Sequence, residues 1–176
     1  LPAPEIALPT DHFNTVLYTG NGSTQSITGV GFQPDFSWLK NRDTAGTNHG
    51  NFDSVRGATK VLLSDSTAHE STEADTLTAF DADGFSLGDQ TNYNDNNATY
   101  VAWNWKAGGA ASANTDGLVD TQVSANVEAG FSIVAYTSDG TTTAGHGLSQ
   151  APELIIVKRR DSGADWIVGG EEVNPV

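Results

Sequence analysis

Apolar and polar residues alternate along most of this chain in short runs, separated by clusters of Gly, Asn, Asp, Ser and Thr. From Phe13 to Thr19, Val16 and Tyr18 fall on one side and Phe13, Thr15 and Leu17 on the other, which predicts a strand. Gly20-Asn21-Gly22-Ser23 then supplies residues that accept the positive φ of a tight turn, so Gln25 to Val30 is expected to return as the hairpin partner. Asp35 to Arg42 alternates Phe36 and Trp38 against Ser37 and Leu39, and short strands are expected at Phe52 to Arg56 and Lys60 to Ser64. Asp65 to Asp75 reads as an acidic loop or one irregular helical turn. Thr76 to Phe80 and Gly84 to Gly88 form a hairpin closed by Asp81-Ala82-Asp83-Gly84. The clearest strand is Thr99 to Lys106, with Val101, Trp103 and Trp105 on the face expected to point inward and Tyr100, Ala102, Asn104 and Lys106 on the other.

The first of these stretches occurs twice. FNTVLYTGNGSTQSITGVGFQPDFSWLKNRD (13–43) and FSIVAYTSDGTTTAGHGLSQAPELIIVKRRD (131–161) align without a gap at an offset of 118 residues. Identical pairs are Phe13/Phe131, Val16/Val134, Tyr18/Tyr136, Thr19/Thr137, Gly22/Gly140, Thr24/Thr142, Gly29/Gly147, Pro34/Pro152, Lys40/Lys158, Arg42/Arg160 and Asp43/Asp161. Such self-similarity marks a repeated structural unit. Leu154 to Val157 is continuously apolar, as in a strand covered on both faces. No segment carries a convincing amphipathic-helix pattern, and many short strands between turn clusters predict an all-β chain, an antiparallel β-sandwich. The organisation expected is an extended lead-in at 1–12, a first sandwich module at 13–107, a linker with a short strand near Val119 to Val123 at 108–130, and a partial second module at 131–176. Only Ser162 to Val176 follows the second copy, so Phe131, Val134, Tyr136, Leu154, Ile156 and Trp166 are expected to lack sheet partners and to pair with a neighbouring copy, giving an oligomer or filament.

Charge narrows the partners. With 8 Lys and Arg against 22 Asp and Glu, the formal net charge is −14. That opposes nucleic acid, whose binding depends on cations neutralising phosphates, and it disfavours anionic lipid surfaces. No apolar run is long enough to insert in a membrane. Cysteine is absent, which is neutral about compartment in a chain of this size. Methionine is also absent and the chain opens at Leu1, which reads as a processed chain or a fragment.

Candidate chemistry is sparse. Asn92-Tyr93-Asn94-Asp95-Asn96 gathers hydrogen-bonding side chains around a ring expected to be exposed, which suits recognition of sugar hydroxyls and equally suits an ordinary surface loop. The tryptophans invite comparison with sugar-stacking surfaces, yet their spacing favours core packing. Asp81-x-Asp83-Gly84 opens like a calcium loop without its remaining ligands, and a hairpin turn explains it as well. Calcium is the one cofactor this pattern leaves open. His12, His49, His69 and His146 show no metal-ligand spacing. Glu171-Glu172 is the one adjacent carboxylate pair, without the paired carboxylates of glycoside hydrolysis, and no serine elbow or cysteine nucleophile exists. An enzyme is not expected. Asn21-Gly-Ser and Asn97-Ala-Thr match glycosylation acceptors but sit in turns.

The repeat copies, together with FDSVRGATKVL, FDADGFSLG and TYVAWNWKAGG, resemble a repeated domain of unknown function found in structural proteins of tailed bacteriophages, many from cyanobacterial hosts. The resemblance implies a concanavalin A-like jelly roll, lectin-like in architecture, with no catalytic residues and a place in a tail fibre or another virion part. On that basis the chain is expected to be a virion or extracellular structural protein acting by self-assembly and surface attachment. The alternative is a carbohydrate-binding module for host-surface glycan.

Overall fold

The computed structural model of the protein describes residues 8–140 and 143–170. The expected lead-in therefore lies partly, and Glu171-Glu172 entirely, outside the described residues. A single 3-10 turn, Pro9–Asp11, leads into β1 (Phe13–Thr19). There follow β2 (Gln25–Thr28), β3 (Phe36–Asn41), β4 (Gly50–Asp53), β5 (Lys60–Leu63), β6 (Ser71–Thr72), β7 (Leu77–Asp81) and β8 (Gly84–Leu87). A one-turn helix α1 (Thr91–Asn94) precedes β9 (Thr99–Trp105), β10 (Ser112–Asn114), β11 (Thr121–Asn126), β12 (Phe131–Tyr136), β13 (Ile155–Val157) and β14 (Ile167–Gly169).

The strands form antiparallel sheets that pack together as a β-sandwich. One sheet runs β1-β9-β3-β4-β5-β6 and faces a second, β2-β8-β7. Between them lies the core of Tyr18, Ile27, Leu39, Phe52, Val61, Leu77, Phe85, Leu87, Tyr93, Tyr100 and Ala102. Burying a large side chain of this kind contributes about 1.5–3 kcal/mol. Tyr18 stacks on Tyr100 at 5.0 Å and 10°. Two polar residues of the inner face bond to each other: Ser37 Oγ donates to Asn104 Oδ1 at 2.8 Å, and Asn104 Nδ2 donates to the Asn14 carbonyl at 3.3 Å.

Two local expectations are corrected. The turn after β1 does not close a hairpin, because β2 pairs with β8 in the opposite sheet. Asn94 holds this corner: its Nδ2 donates to the Ser23 carbonyl at 2.5 Å and the Gly88 carbonyl at 2.7 Å, and its Oδ1 accepts from Asn21 N at 3.1 Å. Gly20 lies against the Asp95 backbone, where a Cβ would clash, so the chain passes between the sheets only with glycine there.

The second correction concerns the faces of β9. Tyr100, Ala102 and Asn104 are the inward row, and Trp103 and Trp105 are half-buried on the outer face. The outer rows run Thr15–Trp103–Trp38–Asn51 and Phe13–Trp105–Phe36–Asp53 across the sheet. Phe131 of β12 covers one end, with its ring 6.2 Å from Trp105 and 6.4 Å from Phe36.

Residues 108–130 were expected to hold a short strand. They hold β10 and β11, which join β12 in the sheet β10-β11-β12. Strand β11 begins two residues after the expected Val119, which makes an isolated parallel bridge with Ala144.

Candidate functional site

The second copy of the repeat reproduces the opening strand and the β3–β4 hairpin of the first. Strand β12 is the counterpart of β1, and β13–β14 is the counterpart of β3–β4, with Ile156 opposite Val168 where Trp38 lies opposite Asn51. The internal contact of the hairpin also recurs. Lys40 Nζ donates to the Thr47 carbonyl at 2.6 Å, and Lys158 Nζ donates to the Ala164 carbonyl. The shared residues therefore specify a shared local geometry.

The surroundings of the two hairpins differ. Strand β3 lies between β9 and β4 in a six-stranded sheet, whereas β13 among the described residues pairs with β14 in a sheet of two. Leu154 and Ile156 are 58% and 54% exposed, and Ile155, Ile167 and Val168 are exposed beside them. Tyr136 at the end of β12 is exposed as well. Leu154, Ile156 and Tyr136 belong to the six positions at which a neighbouring copy is expected to pair. Phe131 and Trp166 are instead half-buried within the same chain, Phe131 on Trp105 and Trp166 through its Nε1, which donates to the Leu63 carbonyl at 2.9 Å. Val134 is half-buried within β12, opposite Val123 of β11. The second copy is thus anchored on one side and open on the other.

A charge network forms the anchor, and sequence reasoning missed it. Arg56 Nε meets Asp53 Oδ2 at 2.5 Å, and its Nη1 meets Glu70 Oε2 at 3.1 Å. Arg160 reaches the same Glu70 with Nε at 2.9 Å and Nη2 at 3.0 Å, so a repeat residue is tied to the first unit. Burial pushes the Glu70 carboxyl up, but the hydrogen bonds from Arg160 and Arg56 outweigh it and hold the group below its ordinary value. The identity of Arg42 and Arg160 between copies was the available signal. Nothing local to the sequence indicated Glu70 as the partner.

The sugar-recognition loop is placed differently from expectation. Tyr93 is 2% exposed, with its ring 5.4 Å from Phe52 at 83° and packed over Gly50. Asn94 is fully buried as the corner clamp described above. Asn92 is half-buried, while Asp95 and Asn96 are exposed. The loop therefore offers no open ring, because its aromatic residue fills the core between the sheets. In the turn between β7 and β8, Asp83 accepts from Gly31 N at 2.6 Å and Gly29 N at 3.0 Å, which lowers its pKa, and Asp81 accepts from Ser86 Oγ at 2.7 Å. Both carboxylates are engaged in holding loops together.

A family model described as a domain of unknown function (DUF7483) matches residues 8–175. The chain belongs to that family. The DUF7483 match runs through both copies of the repeat, so the anchored and open parts of the second copy both fall within it. No curated protein matches the chain, and no solved structure does.

Proposed function

We propose that this DUF7483 domain is a non-enzymatic structural module of a virion or another extracellular assembly, a fibre, appendage or decoration, that joins its neighbours through the open strands of its second copy. The β13–β14 hairpin carries the reading: four exposed apolar side chains, Ile155, Ile156, Ile167 and Val168, sit on its two strands, with exposed Leu154 just before them. Apolar faces and unpaired strand edges of this kind favour association with another chain. The buried carboxylates suit structural work, since Asp35 accepts from Ala107 N and Ser54 Oγ while Asp53 and Glu70 meet arginine. The virion setting rests on the sequence resemblance given above. Sedimentation velocity over a micromolar concentration series tests the reading. The expected result is concentration-dependent association that Ile156→Lys shifts towards monomer. A folded monomer at every concentration overturns it.

One observation favours a second reading on another face. Trp38 and Trp103 are half-exposed, 6.0 Å apart and nearly perpendicular, and Trp38 Nε1 donates to His49 Nδ1 at 3.0 Å. Burial, and then the nearby Lys40, lower the His49 pKa, which keeps its imidazole neutral and accepting. Indole faces beside fixed polar groups suit the stacking of glycan rings. A glycan array should then show binding that Trp103→Ala abolishes. No binding, or binding that persists in Trp103→Ala, removes this reading.

A further inference from the structure

The indole pair on the outer face is steadied by a histidine. Trp38 stands on β3 between Trp103 of β9 and Asn51 of β4, so its backbone is paired on both sides. Trp103 meets its ring nearly edge-on, at 6.0 Å and 71°. The polar restraint is the hydrogen bond from Trp38 Nε1 to His49 Nδ1 at 3.0 Å, with the two rings 5.9 Å apart at 68°.

His49 is itself fixed in place. It directly precedes β4, its N–H donates to Asp65 Oδ1 at 3.1 Å, and its carbonyl accepts from Ser64 N at 3.3 Å. Two charged groups act on the imidazole, Lys40 from β3 and Asp65 from just beyond β5. Lys40 lies two residues along β3 from Trp38 and closes the loop before His49, with Nζ donating to the Thr47 carbonyl at 2.6 Å and Thr47 Oγ1 at 3.2 Å. Burial first and then Lys40 disfavour the imidazolium, Asp65 favours it, and the balance falls below the ordinary 6.5.

The bond between the two rings works in one protonation state. An indole N–H only donates, and a neutral imidazole protonated on Nε2 offers Nδ1 as the acceptor. The imidazolium carries a proton on both nitrogens and has no acceptor left. Protonation therefore sets two N–H groups against each other across 3.0 Å. The backbones on both sides are held, so a side chain turns. Whichever ring moves, Trp38 loses the partner that sets its orientation beside Trp103.

We infer that the Trp38–His49 pair is an acid-released latch on the indole platform: neutral His49 holds Trp38 in place for a stacked ligand, and protonation of Nδ1 lets it go. The inference rests on the glycan reading above and supplies its regulation, although the latch can be observed without any ligand. His49 acts as a positioning residue, through Trp38. The platform is set near neutral pH and loosened in mild acid, where a carboxylate such as Glu70, held below its ordinary 4.5, stays ionised.

The test follows the Trp38 Nε1–H resonance of the nitrogen-15-labelled intact chain from about pH 8 to about pH 5. It should shift with a midpoint below 6.5 that coincides with the titration of the His49 ring itself. His49→Asn keeps an acceptor oxygen close to the place of Nδ1 and has no titrating proton, so it should abolish the shift, with the rest of the spectrum reporting the fold. A Trp38 resonance that stays still, or that moves equally in His49→Asn, overturns the latch. A glycan array at about pH 7.5 and about pH 5.5 reads the regulation. Binding should weaken about tenfold in acid, the worth of one hydrogen bond, and the ratio between the two pH values should approach one in His49→Asn. Binding of equal strength at both pH values overturns the inference even if the indole titrates. No glycan at either pH, with the titration present, removes the glycan reading alone and leaves the latch standing.

Discussion

Replacing Arg56 by Met should destabilise the fold by about 3–5 kcal/mol, read as a fall in the urea midpoint. The side chain of Arg56 is 5% exposed, and its three nitrogens reach Asp53, Glu70 and the Asn51 carbonyl. Met retains much of the volume and none of the charge, leaving the Asp53 carboxylate desolvated without its cation. That uncompensated charge, rather than the lost attraction, sets the size of the effect. Glu70 keeps Arg160 but loses one of its two arginines, so the anchor of the second copy should loosen too. A loss below about 1 kcal/mol would place the contact with solvent-screened surface pairs and refute the account. The acid limb of stability follows from the same group. Glu70 is held below its ordinary value near 4.5 in the folded chain. Its contribution is therefore complete above that pH and is lost as pH falls through the lowered folded value. Arg56→Met should make this acid dependence shallower.

Truncating Tyr93 to Ala should cost about 3–5 kcal/mol, comparable to the loss of a core phenylalanine. For a domain of this length that corresponds to a melting temperature lower by about 10 °C. The ring fills the space that Gly50 leaves open in β4 and meets Phe52 edge-on, so the variant creates a cavity between the sheets. Burial pushes the Tyr93 phenol well above its ordinary value, in keeping with a group removed from water. Tyr93→Phe keeps the ring and should retain most of the stability. An unchanged melting temperature in Tyr93→Ala would mean that the ring does not belong to the core. The variant is consequently a poor control for glycan binding, since lost binding would report unfolding. Trp103→Ala is the cleaner probe.

Much of the secondary structure was legible because its signals are local. Strand β1 occupies Phe13–Thr19 as its alternation predicts, and β7 and β8 form the hairpin that Asp81 to Gly84 announces. The burial of the Tyr93 ring differs from expectation for a physical reason. Asn and Tyr look alike in sequence whether they meet water or, as Tyr93 and Asn94 do, close a corner between sheets. Likewise Gly20 to Ser23 has the chemistry of a hairpin turn, but Asn94, distant in sequence, turns the chain into the opposite sheet.

What the sequence alone determined was the all-β class, the two faces of each main strand and the repetition of one unit at 13–43 and 131–161, because alternation, turn propensity and self-similarity act over neighbouring residues. Only the tertiary structure decided which face of β9 is buried, and that Glu70 anchors the second copy while Ile155, Ile156 and Asp161 remain open. A strand pattern separates its sides without saying which will be covered. That depends on what lies across the sheet, and here the small Ala102 and the hydrogen-bonded Asn104 admit the opposite layer where two indoles would not fit.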